Sequence, residues 1–386
     1  MRLANPGVYR QDLFPTLPPA LYTGVPVFLG LTTTGDYDTP TTLTLNAQFT
    51  EIFGGVPRGG YLDRAVAGFF QNGGRFCYVV RLRDRSRNAL VLGLEASEVV
   101  EADLVCAPDV VGAVENVADL VNNPAAVETV VRLQTEVLSF CQATGDRFAI
   151  LDSLLGETPA QIRDRADRLT ECGSYGALYA AWLQVVTATG LIAVPACGHI
   201  AGAYARNDRE IGPYAAPANL ELEGIVDAVP YGSVADSARL FNEGCTPGVN
   251  ALQVFPGRGL RIWGARTLSR SPNWQHINVR RLFITVARWM QLNLADQVFE
   301  PNELRLWIRI ERELSAFLSE LYQRGAFRGS SPEEAFFVRC DPETNPSTHR
   351  DAGILTVEVG LAVAVPGEFI VVRLVQDASG MAIDDG

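Results

Sequence analysis

The chain has 386 residues, of which 47% are hydrophobic, and a formal net charge of −12 at pH 7. This length allows two or three domains with sizeable cores, while the acidic balance argues against nucleic-acid binding, which needs a basic surface. All 32 basic residues are arginine, which excludes a P-loop lysine, a Schiff-base lysine and a Ser–Lys dyad. Apolar runs fall short of the ~20 residues of a membrane span and the N-terminus lacks a signal-peptide core, so we expect synthesis in the cytoplasm without direct membrane insertion.

The N-terminal residues predict an extended arm followed by a small α/β subdomain. Residues 1–20 contain Pro6, Pro15, Pro18 and Pro19, and such a segment is neither a helix nor a core of its own. Residues 21–95 hold strand patterns at 25–31, 42–45 and 75–82, with short helix patterns at 46–53 and 61–71.

The middle of the chain alternates strands with helices. Strands are predicted at 103–107 and 147–151, helices at 126–143 and 158–172, and a strand or buried segment at 177–186. This βαβαβ order predicts a mixed or parallel sheet covered by helices. Residues 190–248 are rich in Gly, Pro, Asn and Tyr, so we expect a long irregular excursion over the surface there.

Two amphipathic helices follow, separated by a short strand predicted at 298–303. The first covers 278–290, with one face formed by Val279, Leu282, Phe283, Val286 and Met290. The second begins at acidic Glu303 and ends at Arg324 and Gly325, an order that suits the helix dipole and a glycine C-cap. Its expected buried residues are Leu304, Trp307, Ile308, Leu314, Phe317, Leu318 and Leu321. Its polar side carries Arg305, Arg309, Arg312 and Arg324.

That arginine side has two interpretations. It is either an ordinary solvated face, paired with Glu313 and Glu320 at helical spacing, or a contact surface for an acidic partner.

The C-terminal residues predict strands that need a partner. A turn and strand are expected at 330–340, and residues 354–363 alternate as a half-buried strand. After a turn at Pro366 and Gly367, residues 368–376 are apolar on both faces. Left at a sheet edge, such a strand would promote aggregation.

Chemical motifs are weak throughout. Cys197 and His199 form the one close Cys/His pair, whereas His276 and His349 are isolated. HExxH, GxSxG and zinc spacings do not occur, and the seven cysteines suit buried, reduced thiols. The glycine-rich run 256–264 is better explained as a tight turn than as a phosphate loop. We therefore predict no catalytic residue, no cofactor site and no metal site.

Several separated segments resemble contractile tail sheath proteins, which form the outer tube of myophages, R-type pyocins and phage-tail-like injection particles. The matching stretches run nearly end to end and are weakest between about 97 and 152. They are Pro-Gly-Val-Tyr at 6–9, Phe-Phe-Gln-Asn-Gly-Gly at 69–74, Val-Val-Arg at 79–81, Val-Pro-Ala-Cys-Gly-His-Ile-Ala-Gly at 194–202, Ala-Pro-Ala-Asn at 216–219, Phe-Pro-Gly-Arg-Gly-Leu-Arg-Ile-Trp-Gly-Ala-Arg-Thr-Leu-Ser at 255–269, Asn-Val-Arg-Arg-Leu-Phe at 278–283, Phe-Glu-Pro-Asn at 299–302, 321–325 and Thr-Asn at 344–345.

The resemblance implies a mixed α/β fold with a sheath-type core over 96–365, the subdomain at 21–95, and strand-donating arms at 1–20 and 366–386. It implies hexameric rings stacked as a helical polymer around an inner tail tube, with contraction driving the tube through a target membrane. Baseplate and terminal cap proteins are further expected partners, and the basic helix would grip the tube. The expected arm residues are Pro6, Gly7, Val8, Tyr9, Phe369, Ile370, Val371, Val372 and Leu374. The rival functions are a cytoplasmic nucleotide-binding α/β enzyme and a non-contractile shell or scaffold protein.

Overall fold

The computed structural model describes residues 21–112, 121–187, 190–229, 247–297, 299–363, 369–377 and 380–384, the last two ranges by their backbone. The predicted arm at 1–20 lies outside these residues.

A six-stranded sheet in the order β2-β3-β1-β4-β5-β6 forms the body, and every neighbouring pair is parallel except β2–β3. Its central strands are apolar and buried on both faces, as expected for a parallel sheet covered by helices. The predicted α/β class is thus confirmed. The strands are β1 (Pro26–Gly30), β2 (Thr41–Leu43), β3 (Cys77–Arg81), β4 (Leu104–Cys106), β5 (Phe148–Asp152) and β6 (Gly176–Tyr179).

Helices α1 (Ala47–Phe53), α2 (Leu62–Gln71), α3 (Arg87–Ala96), α4 (Pro124–Thr144) and α5 (Pro159–Arg168) accompany this sheet. Thr158 and Gln161 form a capping box at the start of α5. Gly145 ends α4 in the left-handed conformation, at φ 69°. Helix α5 stops four residues before the predicted end. Because β1, β2 and β3 lie in the same sheet as β4 to β6, residues 21–95 share one core with the residues that follow and do not form a core of their own.

The expectation of an irregular excursion over residues 190–248 is wrong for residues 190–210, whereas residues 211–226 are irregular as expected. Strands β7 (Trp182–Thr187), β8 (Gly190–Pro195) and β9 (Asp227–Val229) form an antiparallel sheet, and α6 (Cys197–Glu210) is largely buried. The glycines serve close helix packing, since an added Cβ at Gly198 would overlap the Ala65 backbone of α2. A high glycine content therefore marked a helix–helix contact and not a loop.

A hairpin and a C-terminal α/β unit complete the chain. Strands β10 (Ala251–Phe255) and β11 (Gly259–Trp263) pair around a tight turn in which Gly257 and Gly259 have φ values of 73° and 72°. This turn confirms the interpretation of the glycine-rich run. The remaining elements are α7 (Ile277–Leu294), α8 (Leu304–Gln323), α9 (Pro332–Ala335), β12 (Phe336–Arg339), α10 (Ser347–Asp351), β13 (Leu355–Ala362), β14 (Phe369–Asp377) and β15 (Gly380–Asp384).

Two expectations for this unit are corrected. Residues 299–303 form no strand; Phe299 has φ 75° and a fully exposed side chain. Leu304 and Ile308 are exposed, because Ile308 lies about 100° of helix rotation beyond Trp307. The buried face of α8 consists of Leu306, Trp307, Ile310, Leu314, Leu318 and Leu321.

Two hydrophobic clusters form the interior, and α7 belongs to both. The first surrounds the six-stranded sheet; the second lies between α7, α8 and the four-stranded sheet β12-β13-β14-β15. Ile277 and Ile284 pack in the first cluster, and Arg281 and Arg288 share their helix face by i, i+4, i+7 spacing. The predicted apolar face is confirmed in the second cluster by Val279, Leu282, Phe283, Val286 and Met290.

Candidate functional surfaces

A buried ionic centre joins α7 to the body of the protein. The guanidinium of Arg281 donates to both carboxylate oxygens of Asp208, at 2.8 and 2.5 Å, and to Asp103 at 2.9 Å. Asp103 also accepts from the backbone N–H groups of Gly24 and Val25, at 3.0 and 2.6 Å. Burial raises the pKa of Asp208, and the charge of Arg281 opposes that rise. Every group of this centre is paired, so it fixes α7 in place and is not a reactive site.

The exposed side of α8 combines cationic and apolar side chains. Arg305 and Arg312 are exposed and lie at i, i+7 around Ile308, which is 55% exposed. Arg309 pairs with Glu300, outside the helix. We define Leu304, Arg305, Ile308 and Arg312 as the α8 outer face. The exposed side chains of Leu304 and Ile308 are typical of a surface that another protein covers.

Of the two glutamates predicted to pair with the arginines of α8, one does so and the other has a different partner. Arg324, just after the helix, pairs with Glu320 at 2.5 Å as predicted. Glu313 instead accepts a hydrogen bond from Gln297 at 3.0 Å. The solvated-face interpretation therefore holds for the C-terminal end of α8, whereas the outer face lies near its start.

The C-terminal strands pair within the chain. Strand β14 runs antiparallel to β13 over eight residue pairs, from Leu355↔Gln376 to Ala362↔Phe369, and β15 pairs with β14. Residues 355–361 of β13 are mostly buried. The apolar terminal strand, which the sequence predicts to need a partner, pairs with β13 of the same molecule.

The close Cys/His pair does not form a nucleophile and base. Neither ring nitrogen of His199 has a hydrogen-bond partner among the described residues, and its ring packs where a Cβ of Gly68 would lie. Burial lowers the pKa of His199 to about 4 and raises the pKa of the Cys197 thiol well above its ordinary value. Asp152 accepts from the backbone N–H groups of Ala196 and Cys197, both at 2.8 Å, and so caps α6. A thiol that burial keeps protonated is a poor nucleophile.

The described residues hold neither a metal-binding cluster nor a membrane-spanning helix. Among them, His, Cys, Asp and Glu side chains form no group of three or more with the spacing of a metal site. In the same part of the chain, every helix is too short or too polar to cross a bilayer.

Comparison with known proteins shows what the sequence and the fold are similar to. A family model described as the phage tail sheath protein central domain matches residues 85–268. A prophage major tail sheath protein of Pseudomonas aeruginosa strain UCBPP-PA14 is 25% identical over 167 residues, which is 41% of this chain and 40% of that protein's length. The sheath of an extracellular contractile injection system (PVC) in its contracted state is 26% identical, covers 98% of this chain and 99% of its own, and gives a TM-score of 0.73. The helical sheath of the anti-feeding prophage, also contracted, is 28% identical over 95% of this chain and 98% of its own, with a TM-score of 0.71.

This chain is similar to contractile tail sheath proteins in its central sequence and over nearly the whole of its fold. It is a structural sheath subunit, and its mixed α/β fold matches those sheath structures nearly end to end.

The predicted site residues of this sheath protein fall in three places. The N-terminal set Pro6 to Tyr9 lies outside the described residues, and the C-terminal set lies on β14. The tube-facing set lies on α8, apart from Arg324. Sequence reasoning missed Leu304 and Ile308 as surface residues. It also missed the Arg281 centre, although the two adjacent arginines inside an apolar helix pattern were a usable signal.

Proposed function

We propose that this sheath protein polymerises as stacked hexameric rings around an inner tail tube, and that contraction of the polymer drives the tube through a target membrane. The observation that carries this proposal is the nearly full-length match to two sheaths in their contracted states. The particle would be a phage tail or phage-tail-like particle, completed by baseplate and terminal cap proteins, and released to the extracellular space.

Strand exchange would hold neighbouring subunits together. Strand β14 is joined to β13 through residues 363–368, which include Pro366 and Gly367. If the connection opens, the β14 of a neighbour can pair with β13 in the same register, so the hydrogen bonds of one chain are reproduced between two. The residues involved are Phe369, Ile370, Val371, Val372 and Leu374, with Pro6, Gly7, Val8 and Tyr9 donating at the other end.

Such exchanged strands would tether subunits while their bodies move. Contraction then needs no nucleotide if the contracted packing buries more surface, since each additional ~100 Å² of apolar area contributes about 2.5 kcal/mol. Summed over many copies, this energy is available for membrane penetration.

The α8 outer face is the proposed contact with the tube. Arg305 and Arg312 supply positive charge toward an acidic partner, and Leu304 and Ile308 supply apolar area between them. Arg309 and Arg324, predicted for the same role, already pair with Glu300 and Glu320. We therefore rank them below the two exposed arginines.

We also propose that the protein has no enzymatic activity. Support comes from the geometry at Cys197 and His199, where burial suppresses the chemistry that the pair would need.

Negative-stain microscopy tests assembly directly. Purified full-length protein should form long striated tubes, whereas a variant lacking residues 366–386 should remain as soluble monomers or irregular aggregates. Deleting residues 380–386, which removes β15 but keeps β14, is the matched control and should leave tubes in place. Tubes formed by the longer deletion would refute strand exchange through β14, and discrete monomers of the full-length protein at all concentrations would argue against the sheath function.

A further inference from the structure

An aromatic cleft separates the body of the protein from α8. Its volume is about 670 Å³, within the range of roughly 300–1,000 Å³ typical of ligand sites. We define the aromatic cleft by the five aromatic side chains that line it, Tyr22, Phe76, Tyr214, Trp289 and Phe317.

The rings of the aromatic cleft are held in fixed positions. Trp289 on α7 and Phe317 on α8 stack at 4.6 Å with an interplanar angle of 8°. Tyr22 and Phe76 meet edge to face at 5.6 Å. The hydroxyl of Tyr214 lies 2.8 Å from the carbonyl oxygen of Arg324, which ties this wall to the end of α8. A preformed wall of rings binds a ligand with little loss of side-chain entropy.

The surface of the aromatic cleft is open and partly cationic. Tyr22 is 53% exposed and Ile211, beside it, is 58% exposed. Arg75 and Arg209 contribute positive charge to the lining, whereas Arg324 pairs with Glu320, which lines the cleft as well. Grooves of aromatic rings are the common binding sites for polyproline II segments, whose conformation is already extended and costs little entropy to bind.

The chain itself contains such a segment a few positions before the residues Leu21 and Tyr22. Residues 13–19 read Leu-Phe-Pro-Thr-Leu-Pro-Pro, which includes a Pro-x-x-Pro motif at Pro15 and Pro18. In a polyproline II helix of three residues per turn, these two prolines lie on one face, about 9 Å apart. Asp12 lies three positions before Pro15, and its negative charge is opposite to that of the cleft arginines.

The position of the segment decides which molecule supplies it. Leu21 and Tyr22 line the aromatic cleft, so residue 19 is only two residues away from its wall. A short tether of this kind gives an effective concentration in the millimolar range, which favours the chain's own segment over that of another molecule.

We propose that the aromatic cleft binds residues 13–19 of the same chain in the polyproline II conformation. The bound segment would fix the direction in which residues 1–12 leave the body. This inference does not rest on sheath assembly, because it concerns the isolated subunit, so its failure would leave the proposed function untouched.

Hydroxyl-radical footprinting with mass spectrometry tests the proposal on dilute full-length protein. The triple variant Pro15→Ala, Pro18→Ala, Pro19→Ala changes only the segment, and Pro6→Ala is the matched control. Because a bound segment lies against the wall of such a cleft and shields it from solvent, we expect about threefold faster labelling of Trp289 and Phe317 in the triple variant. Labelling should be unchanged in the control.

Trp263 serves as the internal reference, because it is 42% exposed and lies on β11, outside the aromatic cleft. If the labelling of Trp263 also rises in the triple variant, two deletions test whether residues 13–19 cover the cleft. Removing residues 1–12 should keep Trp289 protected, and removing residues 1–19 should expose it. Equal labelling of Trp289 in the two deletions would overturn the proposal.

Three other results would also overturn it. One is equal labelling of Trp289 in the wild-type protein and in a triple variant whose Trp263 labelling is normal. Another is protection that appears only as the protein concentration rises, which would assign the cleft to a second copy. The third is protection found only in assembled particles, which would assign it to a partner protein.

Discussion

Replacing Arg281 by methionine tests whether the buried ionic centre stabilises the junction between the two hydrophobic clusters. The substitution keeps an unbranched apolar side chain on α7 and removes the guanidinium. Asp208 then loses two hydrogen bonds, of 2.8 and 2.5 Å, and Asp103 loses one of 2.9 Å. Asp103 keeps its two backbone donors, Gly24 and Val25, so most of the cost falls on Asp208.

The expected loss of unfolding free energy is about 3 kcal/mol at pH 8. Removing one partner of a buried ion pair costs roughly 3–5 kcal/mol, because the remaining charge stays buried without compensation. We take the lower end since Asp103 remains satisfied by backbone donors. The loss should shrink as the pH falls, because burial already raises the pKa of Asp208 and the variant lacks the opposing charge of Arg281. A carboxyl group whose pKa is raised on folding binds its proton more readily in the folded state, and each unit of additional pKa shift returns about 1.4 kcal/mol at low pH.

Urea unfolding of the monomeric protein, followed by circular dichroism between pH 5 and pH 8, measures both effects. Arg305→Met, at an exposed position of α8, is the control and should change the unfolding free energy by less than about 0.5 kcal/mol. Adding Asp208→Asn to Arg281→Met should recover part of the loss and remove most of its pH dependence. A loss below about 1 kcal/mol at pH 8, or a loss that is the same at pH 5 and pH 8, would show that the centre does not behave as a buried ion pair.

Three further predictions concern packing, pH and partner binding. Gly198→Ala should cost about 1–3 kcal/mol, because the added methyl group overlaps the α2 backbone, whereas Gly55→Ala, with open space around its Cβ, should be nearly neutral in the same urea assay. Since burial lowers the pKa of His199 to about 4, the wild type should lose roughly 3 kcal/mol relative to His199→Leu as the pH falls from 7 to 4; parallel stability profiles of the two proteins would contradict this. Changing Arg305 and Arg312 to Glu should reduce the amount of sheath protein that co-sediments with the inner tube, and should make this binding less sensitive to salt. Polymerisation of the sheath should persist. Unaltered co-sedimentation would mean that the tube contacts another surface.

The regular patterns of the sequence were sufficient for much of the fold. Strands β1, β3 and β5, the long helix α4 and the apolar face of α7 follow from local periodicity and capping residues, because burial of one face or of both faces leaves a short-range pattern. That β14 needs a partner strand was also predictable, since a strand that is apolar on both faces must be covered. The candidate α8 helix was correctly placed, but its outer face was not.

Tertiary structure alone decided the rest. Ile308 fits an apolar stripe by spacing, yet it is exposed, because the second cluster reaches α8 only on the side of Trp307 and Ile310. Gly198 reads as a loop residue until α2 is placed against it. Arg281 and Asp103 are separated by 178 positions, and neither residue carries a local sign of the other. Local patterns report which face of an element is apolar, whereas the partner that covers this face, and any charge buried with it, depends on contacts between distant residues.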